Sequence, residues 1–412
     1  MKIDGARIAS DLDTLAQWGR NADGSMTRLA LSKDDAVARA WVRDRMRALG
    51  MEVWADEVGN LFGRRRGRKM TGGAFVLTGS HLDSVPAGGR YDGPFGIVGP
   101  LEVMRAWNDA GVETDDDVVV GVFVGEEGSR FRRGTLGSAA ASGYLKVSDI
   151  LALVDADGAT FAEALKTYGN DPPCTTPARI APKAFVEMHI EQGGVLESRR
   201  IPIGAVEAIA GLYQFVATFR GDANHAGATP MALRRDALAA AAEVVSAVEF
   251  HATSIGYGAV GTVGKIELAQ GAALNIIPGE CTIGIDLRAP RGDILDAMEE
   301  QLREVVRRAG EKRRVETQIA VRQKVAPGPM DTRVVEALGR AAAACEMEHL
   351  RMPSGAIHDA LHMAECCPTS MLFVPSRGGK SHCREEATEL EDLVRGTLVL
   401  AHALRALACG PL

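Results

Sequence analysis

No Cys-x-x-Cys pair occurs anywhere in the 412 residues, so any metal site in this chain must be built from histidine and carboxylate. The seven cysteines are odd in number and follow no regular framework spacing. The adjacent pair Cys366-Cys367 is poorly placed for disulfide geometry, and a reducing cytoplasm is the compartment expected. A basic excess is also missing. Lysine and arginine number 47 against 54 aspartates and glutamates, a net charge of −7. That balance disfavours nucleic-acid or membrane-surface partners. The N-terminus opens Met1-Lys2-Ile3-Asp4 and soon carries Asp11 and Asp13, so it does not read as an apolar signal segment. No span is expected to cross a bilayer, and the chain shows no internal repeat or low-complexity tract.

The apolar fraction of 46% and charged fraction of 25% are those of an ordinary globular protein able to bury a sizeable core. The length suggests one large domain and a smaller one. The basic run Arg64-Arg65-Arg66-Gly67-Arg68-Lys69 precedes Thr71-Gly72-Gly73 and reads as a solvated hairpin or loop. Residues 34–49 have the period of an amphipathic helix, with Ala36, Ala40, Trp41, Met46 and Leu49 available for its apolar face and Gly50 as its stop. Residues 51–62 alternate like strands. Ala74 to His81 and Asp117 to Val124 are apolar strands separated by a helix over about 96–110. Strands alternating with helices indicate an α/β layer architecture.

From about Gly211 the pattern changes. A strand at Tyr213 to Phe219, a helix from about 231 to 249, strands near 257–267 and 280–288, a helix from about 293 to 309 and a strand at 314–322 follow in turn. This is the order of a small ferredoxin-like α+β domain. After Pro327-Gly328-Pro329 the α/β character returns. The expected organisation is a discontinuous catalytic domain, 1–209 and 326–412, with a domain of residues 210–325 inserted.

The residues that can carry chemistry cluster at strand ends. In Gly79-Ser80-His81-Leu82-Asp83, His81 and Asp83 project to the same side, so a carboxylate can stand behind an imidazole and fix its tautomer. Gly88-Gly89-Arg90-Tyr91-Asp92-Gly93 surrounds an acid with glycines that permit a tight backbone path. The apolar strand ending at Val124 runs into Glu126-Glu127. Two acids there must be solvated, paired or bound to a cation, and one can ligate while the other acts as a general base. Glu187, His189 and Glu191 share one face of another strand. A further strand, Met371 to Val374, leads through glycines to His382. Three histidines, an aspartate and a glutamate at strand ends suit Zn²⁺, Mn²⁺ or Co²⁺, and two ions become feasible if a carboxylate bridges them. His251, His349 and His402 lie in helix-like or polar surroundings and are read as structural. His362, four residues after His358, is read the same way because the acids of a zincin motif are absent.

Taken together the motifs resemble the hydantoinase/carbamoylase branch of the zinc aminoacylase and carboxypeptidase superfamily. The resemblance rests on GSHLDS (79–84), GGRYDGPFG (88–96), EEGSRF (126–131), EMHIEQG (187–193), NHAGATPM (224–231), NIIPG (275–279), DLR (286–288), SGAIHDA (354–360) and FVPSRGGKSH (373–382), and it covers nearly the whole chain. It implies a dinuclear-metal, aminopeptidase-like catalytic domain with an inserted lid that also dimerises. It implies that Asp92 bridges two divalent ions, with His81 and His189 at one and Glu127 and His382 at the other. Glu126 would be the general base and Asp83 the partner of His81. From the lid, His225 would polarise the scissile carbonyl or stabilise its oxyanion. Arg288 and Asn275 would grip a substrate carboxylate, and Gln192 and Gly355 would also contact substrate. The implied activity is hydrolysis of an N-carbamoyl-L-amino acid, with allantoate as the alternative substrate and a peptidase or aminoacylase as the remoter one. Three positions depart from the pattern. Ala228 replaces a usual threonine and Ile357 a usual glycine, and Pro100 falls where a helix break or kink is expected.

Overall fold

The computed structural model describes residues 1–69, 74–169 and 171–411, so Thr71-Gly72-Gly73 of the expected hairpin lies outside the described residues. The chain divides into two compact units. One comprises Met1–Glu207, Met330–Met352 and Ala356–Leu412, and the other Ala208–Pro329 and Pro353–Gly355.

The first unit is built on a large mixed sheet. Its middle is four parallel neighbours in the order Thr369–Val374, Ala184–Ile190, Phe75–His81 and Asp117–Phe123. Nearly every residue of these strands is buried, as expected where a parallel sheet is covered on both faces. Leu61–Arg65 and Glu52–Asp56 extend the sheet antiparallel on one side, and Ile203–Ile209 on the other. Phe75–His81 and Asp117–Phe123 pair so closely that Gly79 lies opposite Gly121. A Cβ on Gly79, whose φ is +148°, would stand 1.9 Å from the Gly121 carbonyl oxygen. Helices Phe95–Asp109 and Leu390–Cys409 pack on one another and on these strands. In open α/β sheets ligands gather beyond the carboxyl ends of parallel strands, and all four of these strands run toward the same end.

Several local expectations change. The helix Lys33–Ala48 buries Ala38, Val42 and Met46, while Ala36, Ala40, Trp41 and Leu49 are only half-buried. The face turns because Asp35 and Arg39 go inside with partners: Asp35 accepts from Leu31 N–H, and Arg39 donates to the Gly59 carbonyl. The helix Phe95–Asp109 runs through Pro100 as one element. The proline ring removes one helical hydrogen bond, to Gly96, and burial of nearly the whole helix outweighs that loss. The basic run is not a free loop at its start. Arg64 and Arg65 lie in a strand and cover Trp54 and Trp107, while Arg66, Arg68 and Lys69 pair with Asp117, Asp115 and Asp116.

The second unit is a four-stranded antiparallel sheet in the order Val260–Leu268, Glu280–Ala289, Gly211–Arg220 and Glu316–Val325. Glu280–Ala289 alternates half-buried and buried residues along its whole length, the period of a one-faced sheet. Helices Ala237–Ile255 and Gly292–Arg313 pack on it around Phe215, Phe219, Val244, Ile283, Leu295 and Leu302. The first helix starts later than the sequence period suggests, because Met231–Leu233 forms a separate 3-10 turn and Asp236 caps Ala237–Ile255 by accepting from Ala239 N–H. One expectation is corrected here. Ala237–Ile255 is long and apolar enough to span a bilayer by length and composition. Its apolar residues Ala240, Ala241, Val244 and Val248 instead fill the core of this unit.

Candidate metal centre

His81 is the last residue of its strand, His189 the penultimate residue of its own, and Glu126-Glu127 and His382 follow the ends of the other two parallel strands. Asp92 joins them from the glycine-rich loop before Phe95–Asp109. One oxygen of Asp92, Oδ1, lies 3.5 Å from His81 Nε2 and 3.1 Å from His189 Nε2. The other, Oδ2, lies 3.3 Å from His382 Nε2, which is itself 3.5 Å from Glu127 Oε2. Glu126 Oε2 stands 3.7 Å from His81 Nε2. His81, Asp92 and His189 form one group whose ligand atoms lie within 4.8 Å of one another, and Asp92, Glu127 and His382 form a second.

The imidazoles are held with Nε2 facing this cluster. His81 Nδ1–H donates to the Asp83 carbonyl at 2.9 Å, and His189 Nδ1–H to the Ile190 carbonyl at 2.9 Å. In the neutral ring each bond leaves Nε2 as the nitrogen free to ligate. The expected carboxylate–histidine contact at Asp83 is therefore made by the main chain, since the Asp83 Oδ1 oxygen is 3.8 Å from His81 Nδ1. The carboxylate does other work. It accepts from the backbone N–H of Glu126 and Glu127, each at 3.2 Å, and so aims both acids.

Gln192 Nε2 donates to Asp92 Oδ2 at 2.6 Å, while Gln192 Oε1 is buried without a hydrogen-bond partner. Gln192 and His382 both hold positive φ, +59° and +55°. Such backbone is costly for residues with side chains, by about 1–3 kcal/mol each, and gathers at functional sites. Glu191, on the His189 face in sequence, turns away to accept from Val195 and Leu196 N–H.

Sequence reasoning missed four participants. Glu386 is 5% exposed and accepts from Tyr91 N–H at 2.8 Å and Asp92 N–H at 3.1 Å. Ser381 Oγ lies 2.8 Å from Glu386 and 2.9 Å from Asp92. A Cβ on Gly89 would fall 2.1 Å from the Glu386 carboxyl, so this glycine is what lets Glu386 reach the Asp92 loop. His358 sits with its ring edge-on to His189, centroids 4.6 Å apart. Asp359 is fully buried beside it and accepts from Ser138 Oγ. The signals were an acid pair, Glu385-Glu386, soon after His382 and a His-Asp pair at the start of a short helix, neither of them periodic. His362 stacks on Tyr144 at 4.4 Å, and His349 lies on a strand rather than a helix.

Charge balance shows what the cluster can hold. Asp83, Asp92, Glu126, Glu187, Asp359 and Glu386 are all buried within this small region. Burial and the neighbouring Glu127 push Glu126 well above the usual carboxylate range, and burial with Asp92 pushes Glu127 up to about 7. Burial also acts on Asp92, yet His189, His382 and His81 hold it well below its usual value. Hydrogen bonding to Asp92 and the nearby Glu127 raise His382 to about 9. Burial and the facing histidines force His358 well below the usual imidazole range, so it stays neutral. So many buried acids are unfavourable without a compensating cation. The nitrogen and carboxylate donors fit a divalent ion of the zinc, manganese or cobalt type.

The other expected site residues belong to the second unit. His225 Nδ1 accepts from Gly227 N–H and Ala228 N–H, both at 3.0 Å, which leaves Nε2–H as an exposed donor. The main chain supplies this contact, so alanine at 228 preserves it. Asn275 is exposed, and its carbonyl accepts from Ala226 N–H. Arg288 pairs with Asp286 at 2.9 Å and donates to the Gly355 carbonyl at 2.8 Å.

Peptidase family M20/M25/M40 matches residues 77–406 of this chain. The chain is 39% identical to the N-carbamoyl-L-amino acid amidohydrolase of Geobacillus stearothermophilus, over 99% of this chain and 100% of that protein. It is 36% identical to the allantoate amidohydrolase of Escherichia coli, over 97% of each. Among solved structures it is similar to a hydantoinase/carbamoylase family amidase from Burkholderia multivorans, with TM-score 0.95, 37% identity and coverage of 100% and 99% of the two chains. The strand-end histidines, the shared Asp92 and these full-length similarities have one reading: the chain belongs to peptidase family M20/M25/M40 and, within it, to the hydantoinase/carbamoylase amidases.

Proposed function

We propose that this protein hydrolyses the ureido amide of N-carbamoyl-L-amino acids, releasing the amino acid, carbon dioxide and ammonia. The observation that carries the reading is Asp92, which turns Oδ1 toward His81 and His189 and Oδ2 toward His382. On this reading two divalent ions, Zn²⁺, Mn²⁺ or Co²⁺, would be held there, Asp92 serving both, with His81 and His189 for one and Glu127 and His382 for the other. Bound there, such ions would supply Lewis acidity that makes a water acidic and a carbonyl electrophilic.

The chain's own groups do the rest. Glu126 takes a proton from the attacking water, whose oxygen bonds to the carbamoyl carbon. The bond from that carbon to the amino-acid nitrogen breaks, and Glu126 passes the proton to the leaving nitrogen. The carbamate left over decomposes to carbon dioxide and ammonia. Burial among acids suits Glu126 to this task, because a raised carboxyl holds a proton long enough to return it. His225 Nε2–H is assigned to the carbonyl oxygen, Arg288 and Asn275 to the substrate carboxylate, and Gln192 and Gly355 to substrate positioning.

The second unit we read as a ferredoxin-like lid, 210–325, inserted into a catalytic domain of 1–209 and 326–412, and as the surface of a homodimer. The strand order of its sheet supports the ferredoxin-like part of that reading. Six described cysteines are free thiols, in keeping with the cytoplasmic compartment we assign to it. Allantoate is the second reading, favoured by the similarity to the Escherichia coli enzyme. The test is a panel on metal-reconstituted protein: N-carbamoyl-L-amino acids, allantoate, N-acetyl amino acids and dipeptides. Fastest turnover is expected with N-carbamoyl-L-amino acids. Preference for allantoate selects the second reading, and hydrolysis of dipeptides alone refutes both.

A further inference from the structure

Residues 26–31 supply no metal ligand and no substrate contact in the chemistry above, yet they are tied to two of the loops that carry it. Met26 exchanges both backbone hydrogen bonds with Gly88, at 2.9 and 2.8 Å, and Thr27 Oγ1 accepts from Ala87 N–H at 3.0 Å. That loop continues into Asp92. Arg28 exchanges bonds with Ser84, its N–H donating to Ser84 Oγ at 2.9 Å and its carbonyl accepting from Ser84 N–H at 2.8 Å. The second loop follows Glu126-Glu127: Arg130 reaches back to donate to the carbonyls of Ala30 and Leu31.

The Arg28 side chain is the centre of this strap. Only 2% of the residue is exposed. Its Nε–H donates to the Leu82 carbonyl at 2.7 Å, and its Nη1 to the carbonyls of Leu15 at 2.7 Å and Trp18 at 3.1 Å. The charges that face it are Asp35, Asp83 and Asp34. A buried guanidinium with no carboxylate in hydrogen-bond contact among the described residues is an expensive way to hold three carbonyls. What it holds explains the placement. The next carbonyl after Leu82 is that of Asp83, which takes the His81 Nδ1–H, and the Asp83 carboxylate aims Glu126 and Glu127. A shift of the 82–83 peptide therefore moves a ligand imidazole and both acids together.

We propose that Arg28 is a positioning residue: through Leu82 and Asp83 it sets the spacing between His81 and the Glu126-Glu127 pair, and thereby the affinity of the centre for its divalent ion and the rate of turnover. This rests on the metal reading of the site. The alternative is that Arg28 only fastens the helix Gly5–Leu15, which ends at one of its acceptors.

The two are separated by making Arg28→Lys and Arg28→Met in the full chain. Melting temperature, Mn²⁺ affinity of the metal-free protein by calorimetric titration, and kcat and KM of the reconstituted enzyme are then measured. Both variants are expected to bind Mn²⁺ at least tenfold more weakly and to lose at least thirtyfold in kcat, with KM changed less than threefold and Lys milder than Met. A fastening role predicts lower melting temperatures with Mn²⁺ affinity and kcat unchanged per folded molecule, and that result overturns the proposal. If neither variant folds, Ser84→Ala decides: it removes only the Oγ that accepts from Arg28 N–H. A threefold or greater loss of Mn²⁺ affinity is then expected, and unchanged affinity overturns the proposal. Wild-type protein that takes up no Mn²⁺ overturns the metal reading and this inference with it. Wild-type binding matched by the variants overturns this inference alone.

Discussion

Glu126 and Glu127 are neighbours in sequence, yet they meet different groups. Glu127 stands by His382 and Glu126 by His81, because the Asp83 carboxylate grips both backbone N–H groups and splays the side chains. Glu126→Gln keeps the shape and removes the proton acceptor. A loss of turnover of about 10³-fold or more is expected while metal binding persists. Near-normal kcat in that variant would sink the assignment of the base. His382 provides a second check. Its folded value of about 9 lies above the ordinary imidazole value of 6.5, so in metal-free protein its stabilising contact with Asp92 is fully present below the unfolded value and is lost as pH rises through about 9. A divalent ion needs the neutral ring and must displace that proton. Apparent metal affinity should therefore rise from pH 7 to pH 9, by up to about tenfold per unit from this one group. A flat titration series across that range would contradict it.

The glycine-rich loop before Phe95–Asp109 shows how an element is specified by a distant residue. Sequence reading explains Gly88 and Gly89 only as permissive backbone beside Asp92. The structure adds Glu386, whose carboxyl occupies the space a Gly89 Cβ would need. Gly89→Ala should push Glu386 off the Tyr91 and Asp92 amides. Activity is then expected to fall at least tenfold, with a smaller effect on melting than on kcat. An alanine variant as active as wild type would show that the Glu386 grip is dispensable. The same logic separates what was legible in the helices. The stop of Lys33–Ala48 follows from Gly50, but its buried face does not follow from the sequence, because Asp35 and Arg39 enter the interior only where particular carbonyl and amide partners wait.

For the whole molecule the dominant electrostatic fact is a buried nest of acids around three histidines. A ligand that binds only the folded state stabilises it by about 2.7 kcal/mol at a hundred times its dissociation constant. Removal of divalent ions with a chelator is accordingly expected to lower the melting temperature by several degrees, and added Mn²⁺ or Zn²⁺ to restore it. Identical melting with and without chelator would remove the metal from the account of this fold. The proposed dimer is checked at the same scale. Sedimentation of the full chain should give twice the monomer mass, and a monomer at micromolar concentration contradicts it.

Most of the strands, their order along the chain and the places of His81, Glu127, His189 and His382 at or after strand ends could be read from the sequence alone, whereas the strands Ile203–Ile209 and His349–Ser354 could not. Period, glycine and the type of side chain are local properties, and they are written in adjacent residues. The helix Ala237–Ile255 marks the limit of that reading, since its composition fits a bilayer and only the sheet beneath it makes it a core helix. Which oxygen of Asp92 faces which imidazole, the replacement of the Asp83 carboxylate by its carbonyl behind His81, and the recruitment of Glu386, His358 and Arg28 were decided by tertiary structure. The Asp83 contact is local but turns on the path of the backbone after the strand; the others bring groups far apart in sequence within 2.7 to 4.6 Å, and no local pattern encodes such a distance.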